Sequence, residues 1–107
     1  MTTYLLNSPV LTSFGRWHYE GPLAPHEARR IAARPGLVSA VGHASTARWL
    51  GRQLRIEVPL RRIEVRMRPG DDALVVALDA RVAEGHMLSE AALDAAAHSF
   101  GLLRRLG

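Results

Sequence analysis

The chain contains no cysteine. Disulfides and thiolate metal sites are therefore excluded. It contains no lysine either: all 14 basic side chains are arginine. A GC-rich genome would produce that bias, but its chemical consequence stands whatever the cause. Each cation is a planar donor fork suited to phosphate, rather than a point charge. No stretch approaches the roughly 18 apolar residues of a membrane span. The opening Met1–Leu6 lacks the basic region and long apolar run of a secretory signal, so the expected compartment is the cytoplasm. Neither a Walker-type phosphate loop nor Gly-x-Gly-x-x-Gly occurs, which removes the common nucleotide-binding fingerprints. There is no internal repeat, linker or low-complexity tract. His18, His26, His86 and His98 show no metal-ligand spacing among themselves, so no metal or other cofactor is expected.

What remains is 107 residues, 48% of them hydrophobic and spread over the whole length. That is one domain, residues 1–107, with a small core. A domain of this size buries only about 60–70% of its unfolded surface, so association into a dimer would add to its stability. The formal charge of +4 suits a phosphorylated ligand and is low for a dedicated duplex-binding protein.

Thr2–Leu6 is short, β-branched and aromatic and reads as a strand ended by Asn7-Ser8-Pro9. Arg16–Leu23 can hold an edge strand. Pro25 sits where a helix begins, and Ala28, Ile31 and Ala32 carry helical spacing to Arg34 before Pro35-Gly36 stops it. Leu37–Val41 reads as a short buried strand. Ser45 or Thr46 can cap a helix to about Leu54, with Trp49 and Leu50 on its inner face. Arg62–Met67 alternates Ile63, Val65 and Met67 against charged neighbours, which predicts a strand. Pro69-Gly70-Asp71-Asp72 is a turn signal, and Ala73–Leu78 reads as a central strand. Ser89-Glu90 opens a last helix with Leu93, Ala96 and Ala97 at helical spacing, and Phe100, Leu102 and Leu103 pack a C-terminal segment. The alternation of strands and helices predicts a layered α/β domain, a mixed β-sheet flanked by helices.

Three segments can carry chemistry. In Gly42-His43-Ala44-Ser45-Thr46 a glycine allows close backbone approach and a histidine stands at a helix N-terminus, where free N–H groups attract phosphate. A hydroxyl-capped helix start accounts for the same residues. Arg81-Val82-Ala83-Glu84-Gly85 follows the central strand, where open α/β sheets place ligands, and reads equally as a solvated loop. The charged face of Arg62–Arg66 reads as a ligand or subunit contact, or as an edge protected by charge. Asn7 and Ser8 either hydrogen-bond a ligand or make a turn. Trp17, Tyr19 and Trp49 have faces that stack bases, with packing as the ordinary alternative.

Taken in order, these stretches resemble the viral-type ring nucleases, small proteins of archaeal viruses, phages and mobile elements that include type III anti-CRISPR proteins. The matching segments are Tyr4–Ser8, Val41–Thr46, Arg62–Met67, Gly70–Leu74, Arg81–Gly85 and Leu88-Ser89. The resemblance covers nearly the whole chain and is weakest over residues 10–37. It implies a homodimer that binds cyclic tetra-adenylate across its axis and cleaves it to linear di-adenylates without metal, switching off type III CRISPR signalling. It implies His43 as general acid, Glu84 as the residue that orients or assists proton transfer, and Arg81 as charge stabiliser. Asn7, Ser8, Gly42, Ser45, Thr46 and Arg62 would hold the ring. Two positions depart from the family pattern: Ala44 and Ala83 stand where acidic residues are frequent. A non-catalytic binder of cyclic oligonucleotide, a sponge or sensor, and a nucleic-acid-binding regulator from a mobile element are the other expectations the sequence permits.

Overall fold

A computed structural model of the chain describes residues 1–78, 89–95 and 98–107. Five strands form one mixed sheet: β1 (Thr3–Leu6), β2 (Trp17–Glu20), β3 (Val38–Ser39), β4 (Asp72–Leu78) and β5 (His98–Arg105). Three helices join them, α1 (Pro25–Ala32), α2 (Ala44–Leu54) and α3 (Glu90–Ala95). The strand order is β2-β5-β4-β1-β3. β3, β1 and β4 run parallel, with Leu5 opposite Ser39 and Leu74, while β5 runs antiparallel to both β4 and β2. The expected edge strand near Arg16–Leu23 and the expected central strand Ala73–Leu78 are β2 and β4.

The period-2 geometry of β4 sorts its side chains between two cores. Leu74 and Val76 join Leu5, Phe100 and Leu102 beneath the helices, against Ala28 and Ile31 of α1, Trp49 and Leu50 of α2 and Leu93 of α3. Ala73 and Val75 point the other way, onto Leu6, Leu103 and Met67. All three helices therefore pack on one face. The opposite face is covered by irregular chain through Val65 and Met67, with Trp17 of β2 beside them, and no second helical layer lies there among the described residues. The flanking helices expected from the sequence form a single layer.

Three boundaries differ from expectation for physical reasons. α1 stops at Ala32, not Arg34: the residue before Pro35 is turned away from helical geometry, and the Arg34 guanidinium instead pairs with Asp72 at 2.9 Å. Residues 62–67 form no strand. The edge they would pair with, β3, is only two residues long. The chain there makes isolated bonds instead, from Arg61 N–H to the Val41 carbonyl (2.9 Å) and from the Ser39 hydroxyl to the Pro59 carbonyl (2.7 Å). The alternation survives only as burial: Met67 is enclosed and Val65 half-buried, while Ile63 is 41% exposed. Finally, the C-terminal segment is an eight-residue strand, paired with β4 from His98 to Arg104 and with β2 on its other side. Gly101 hides it from pattern reading. A Cβ there would stand 2.6 Å from the Tyr19 ring, which lies over the glycine from β2.

The amino ends of β1 and β4 are fixed by carboxylates. Asp72 accepts from the Thr3 hydroxyl (2.6 Å) and from Arg34, and Asp71 accepts from the N–H groups of Thr2 (2.8 Å) and Arg68 (2.9 Å). The turn read from Pro69–Asp72 is therefore also a polar staple between strands. Burial raises the Asp71 carboxyl pKa, but the two backbone N–H bonds and the nearby N-terminal and Arg68 charges outweigh it and hold the group below its ordinary value.

Candidate functional site

The parallel order β4-β1-β3 brings the carboxyl ends of three strands to one edge of the sheet. The chain passes from β1 to β3 on one side and then returns across β1 to reach β4. That reversal creates the crevice in which open α/β sheets place ligands. Asn7 and Ser8 follow β1 into a bend at this edge, Asn7 half-buried and Ser8 exposed. Gly42 and His43 follow β3 beside them, and β4 leaves the sheet at the same edge after Leu78.

His43 is itself the N-cap of α2, in extended geometry (φ −123°, ψ 130°), and its carbonyl accepts the Ala47 N–H at 2.9 Å. Neither Ser45 nor Thr46 caps the helix, as the sequence suggested. They occupy its first turn, both half-buried. Histidine is a poor capping residue, so no propensity points to it here. Because the cap makes no side-chain hydrogen bond, no side chain covers the first-turn N–H groups from that position. The His43 Nδ1 atom is enclosed and has no hydrogen-bond partner among the described residues. Gly42 leaves room for Arg62, whose Nε donates to the Gly42 carbonyl at 2.9 Å; a Cβ on Gly42 would stand 3.0 Å from Arg62 Cγ. The guanidinium, exposed to solvent, is thus drawn to the loop that carries His43.

The structure thus gathers Asn7, Ser8, Gly42, His43, Ser45, Thr46 and Arg62 at one end of the sheet. Arg81 and Glu84 lie outside the described residues. Among the described residues, no group of three histidine or acidic side chains is placed to hold a metal ion. Trp49 is wholly buried and donates to Asp94 Oδ1 at 2.7 Å, and Trp17 packs beneath the Arg105 guanidinium (5.7 Å), so both serve packing rather than base stacking. Sequence reasoning missed the contact between Arg62 and the Gly42 carbonyl. Its only trace in the sequence is the glycine itself.

Comparison with known proteins gives the family and the fold. The chain is 36% identical over 90 residues to Uncharacterized protein ORF117 of Acidianus two-tailed virus, covering 79% of this chain and 76% of that protein. It is 32% identical over 88 residues to Uncharacterized protein 26 of Sulfolobus islandicus filamentous virus, covering 79% and 75%. Its fold is that of B116 of Sulfolobus turreted icosahedral virus, with a TM-score of 0.75, 22% identity, and coverage of 98% of this chain and all of that one. Residues 3–100 match the family described as STIV B116-like, and on that span and those viral relatives the chain belongs to the STIV B116-like family.

Proposed function

We propose that this protein is a metal-independent ring nuclease that cleaves cyclic tetra-adenylate to linear di-adenylates. The observation that carries the reading is His43, set at the uncapped start of α2 with Nδ1 enclosed and Arg62 on the preceding carbonyl. A phosphate resting on the α2 N-terminus would meet N–H groups that have no acceptor within the helix, and the positive end of the helix dipole. The nucleophile is already in the substrate. A ribose 2′-hydroxyl gives up its proton to water as its oxygen bonds to the adjacent phosphorus, and the P–O5′ bond breaks in line. The departing 5′-oxygen takes a proton, leaving a 2′,3′-cyclic phosphate. His43 supplies that proton through Nε2. Arg81 stabilises the phosphate charge and Glu84 orients or assists the transfer. Asn7, Ser8, Ser45, Thr46 and Arg62 hold the ring. The ring has two-fold symmetry, so a homodimer offers it two equivalent half-sites, and two cuts give two linear di-adenylates.

The test is incubation of purified protein with cyclic tetra-adenylate in chelator, resolved by chromatography, beside His43→Ala. The wild type converts the ring. The variant is slowed about 10²–10⁴-fold with binding retained, the size of a lost general acid. A second reading, capture without cleavage, draws on Ala44 and Ala83, where family members often carry acids. Tight binding with the ring left intact would select it. Duplex binding is disfavoured by pairing of cations: Arg48, Arg52, Arg66 and Arg104 are each held by carboxylates. A steeply salt-dependent mobility shift would reinstate it.

A further inference from the structure

α2 ends at Leu54, and Arg55 turns the chain back in left-handed geometry (φ 58°, ψ 41°). The returning residues lie against the helix, with the Ile56 N–H donating to the Gly51 carbonyl at 3.2 Å. A Cβ on Gly51 would sit 3.0 Å from the Ile56 carbonyl oxygen, so the glycine permits this approach. Between the two runs is an open groove of about 530 Å³. One wall is the face of α2 that carries Ala44, Ala47 and Gly51, with Arg48 and Arg52 beside them; the other is Ile56, Val58 and Leu60. Leu60 is 55% exposed. Two carboxylates line the groove and they differ. Glu90 is held by Arg48 (3.1 Å) and Arg52 (3.4 Å), whereas Glu57 makes no ion pair among the described residues. In a chain of net charge +4, an unpaired acid beside an apolar slot is suited to a neutral hydrogen-bond donor.

We propose that this groove is the adenine subsite of the protein, with the base's faces against Ala44, Ala47 and Leu60 and its exocyclic amino group donating to Glu57. The proposal rests on the ring-nuclease reading for the identity of the base. Its independent support is position and chemistry. Ala44 follows His43 directly, and in a nucleotide only one sugar separates base from phosphate. A phosphate at the start of α2 therefore brings its base to the mouth of the groove. Apolar walls with one carboxylate at the side suit an apolar body with a polar edge. The carboxylate accepts from the adenine amino group and would repel the carbonyl oxygen that replaces it in hypoxanthine.

The experiment uses nucleosides, which lack the phosphate, so it reads the groove alone. Adenosine is titrated into isotope-labelled wild-type protein and followed by NMR. Shifts are expected at the Ala44 and Ala47 methyls, the Gly51 amide and the Leu60 methyls. Inosine binds about tenfold more weakly, the loss set by one hydrogen bond to a charged group. Leu60→Asp, a change at an exposed position, abolishes the shifts without unfolding the chain. Glu57→Gln, which can both donate and accept, removes the preference for adenosine over inosine. Absence of shifts at these four residues up to the solubility of adenosine overturns the subsite, as do equal shifts with uridine. The ring reading is tested separately by cleavage of cyclic tetra-adenylate. Cleavage with a silent groove sinks only the subsite, whereas a responsive groove with an intact ring sinks only the nuclease.

Discussion

Gly42 has no side chain, and Arg62 occupies the space this leaves. Gly42→Ala would push the Arg62 side chain by a few tenths of an ångström without meeting backbone. The expected result is a stability change within about 0.5 kcal/mol, as for a surface substitution, and, under the proposed ring-nuclease function, weaker binding of cyclic tetra-adenylate close to that of Arg62→Ala. Calorimetric titration with a non-cleaving His43→Ala background reads the affinity, and thermal melting reads the stability. Asp71 predicts a pH effect. Its carboxyl pKa is lower in the folded chain than its ordinary 3.8. It therefore contributes stability that is fully present above the unfolded value and is lost as pH falls through the folded one. Urea midpoints measured from pH 5 to pH 2 should fall for the wild type more steeply than for Asp71→Asn. The variant should also be about 1–3 kcal/mol less stable at pH 5, because the two backbone donors go to different carboxylate oxygens and an amide keeps only one of them.

At the scale of elements, β5 is the structural hinge between the parallel half of the sheet and its edge. It pairs with β4 along seven positions and with β2 along four. Its weak point in sequence, Gly101, is the place where Tyr19 lies flat across it. Gly101→Ala should cost about 1–3 kcal/mol by forcing that ring outward. In a Tyr19→Ala background the same change should cost much less, since the clash is then gone. A double-mutant cycle in denaturant gives the coupling directly, and additive effects would show that the ring is not the cause. α2 is an element with two ends and two tasks. Its interior face, Ala47, Trp49, Leu50 and Leu54, anchors the main core, and Trp49 reaches Asp94 to hold α3. Its start carries the histidine. The position of His43 is therefore fixed by apolar contacts a few residues further along the same helix.

For the whole molecule, the proposed dimer has a kinetic signature. If two protomers complete the site around one ring, specific activity falls as the protein is diluted through its dissociation constant, and light scattering shows mass falling over the same range. Constant activity per chain across that transition would show that one protomer suffices. The two faces of the sheet also differ in kind. The helical face holds the larger core, whereas the other is closed by irregular chain tied down through Arg105, which donates to the carbonyls of Met67 (2.6 Å) and Phe14 (3.2 Å) and to the Ser13 hydroxyl (2.9 Å). Phe14 stands fully exposed on that covering loop.

Much of this architecture was legible in the residues. β1, β4, α1 and α2 follow from hydrophobic period and from Pro and Gly placement, because those signals are local and the core repeats them. His43 could be singled out from its glycine and the following hydroxyls, although its place as the cap itself could not, since histidine has no capping propensity to read. The strand expected at residues 62–67 shows the limit. Alternation reports which side chains face inward, but a strand also needs a partner edge, and β3 is too short to provide one. β5 shows the reverse: its pattern is broken at Gly101, yet long edges of β4 and β2 lie on either side and complete its hydrogen bonds. Composition, periodicity and turn chemistry determined β1, β4, α1, α2 and the single domain. Strand order, the one-sided helical layer, the placing of Asn7 and His43 at one end of the sheet, the contact of Arg62 with the Gly42 carbonyl, and the groove along α2 were decided only by tertiary structure, because they depend on which backbone edges and faces remain available once the neighbours are in place.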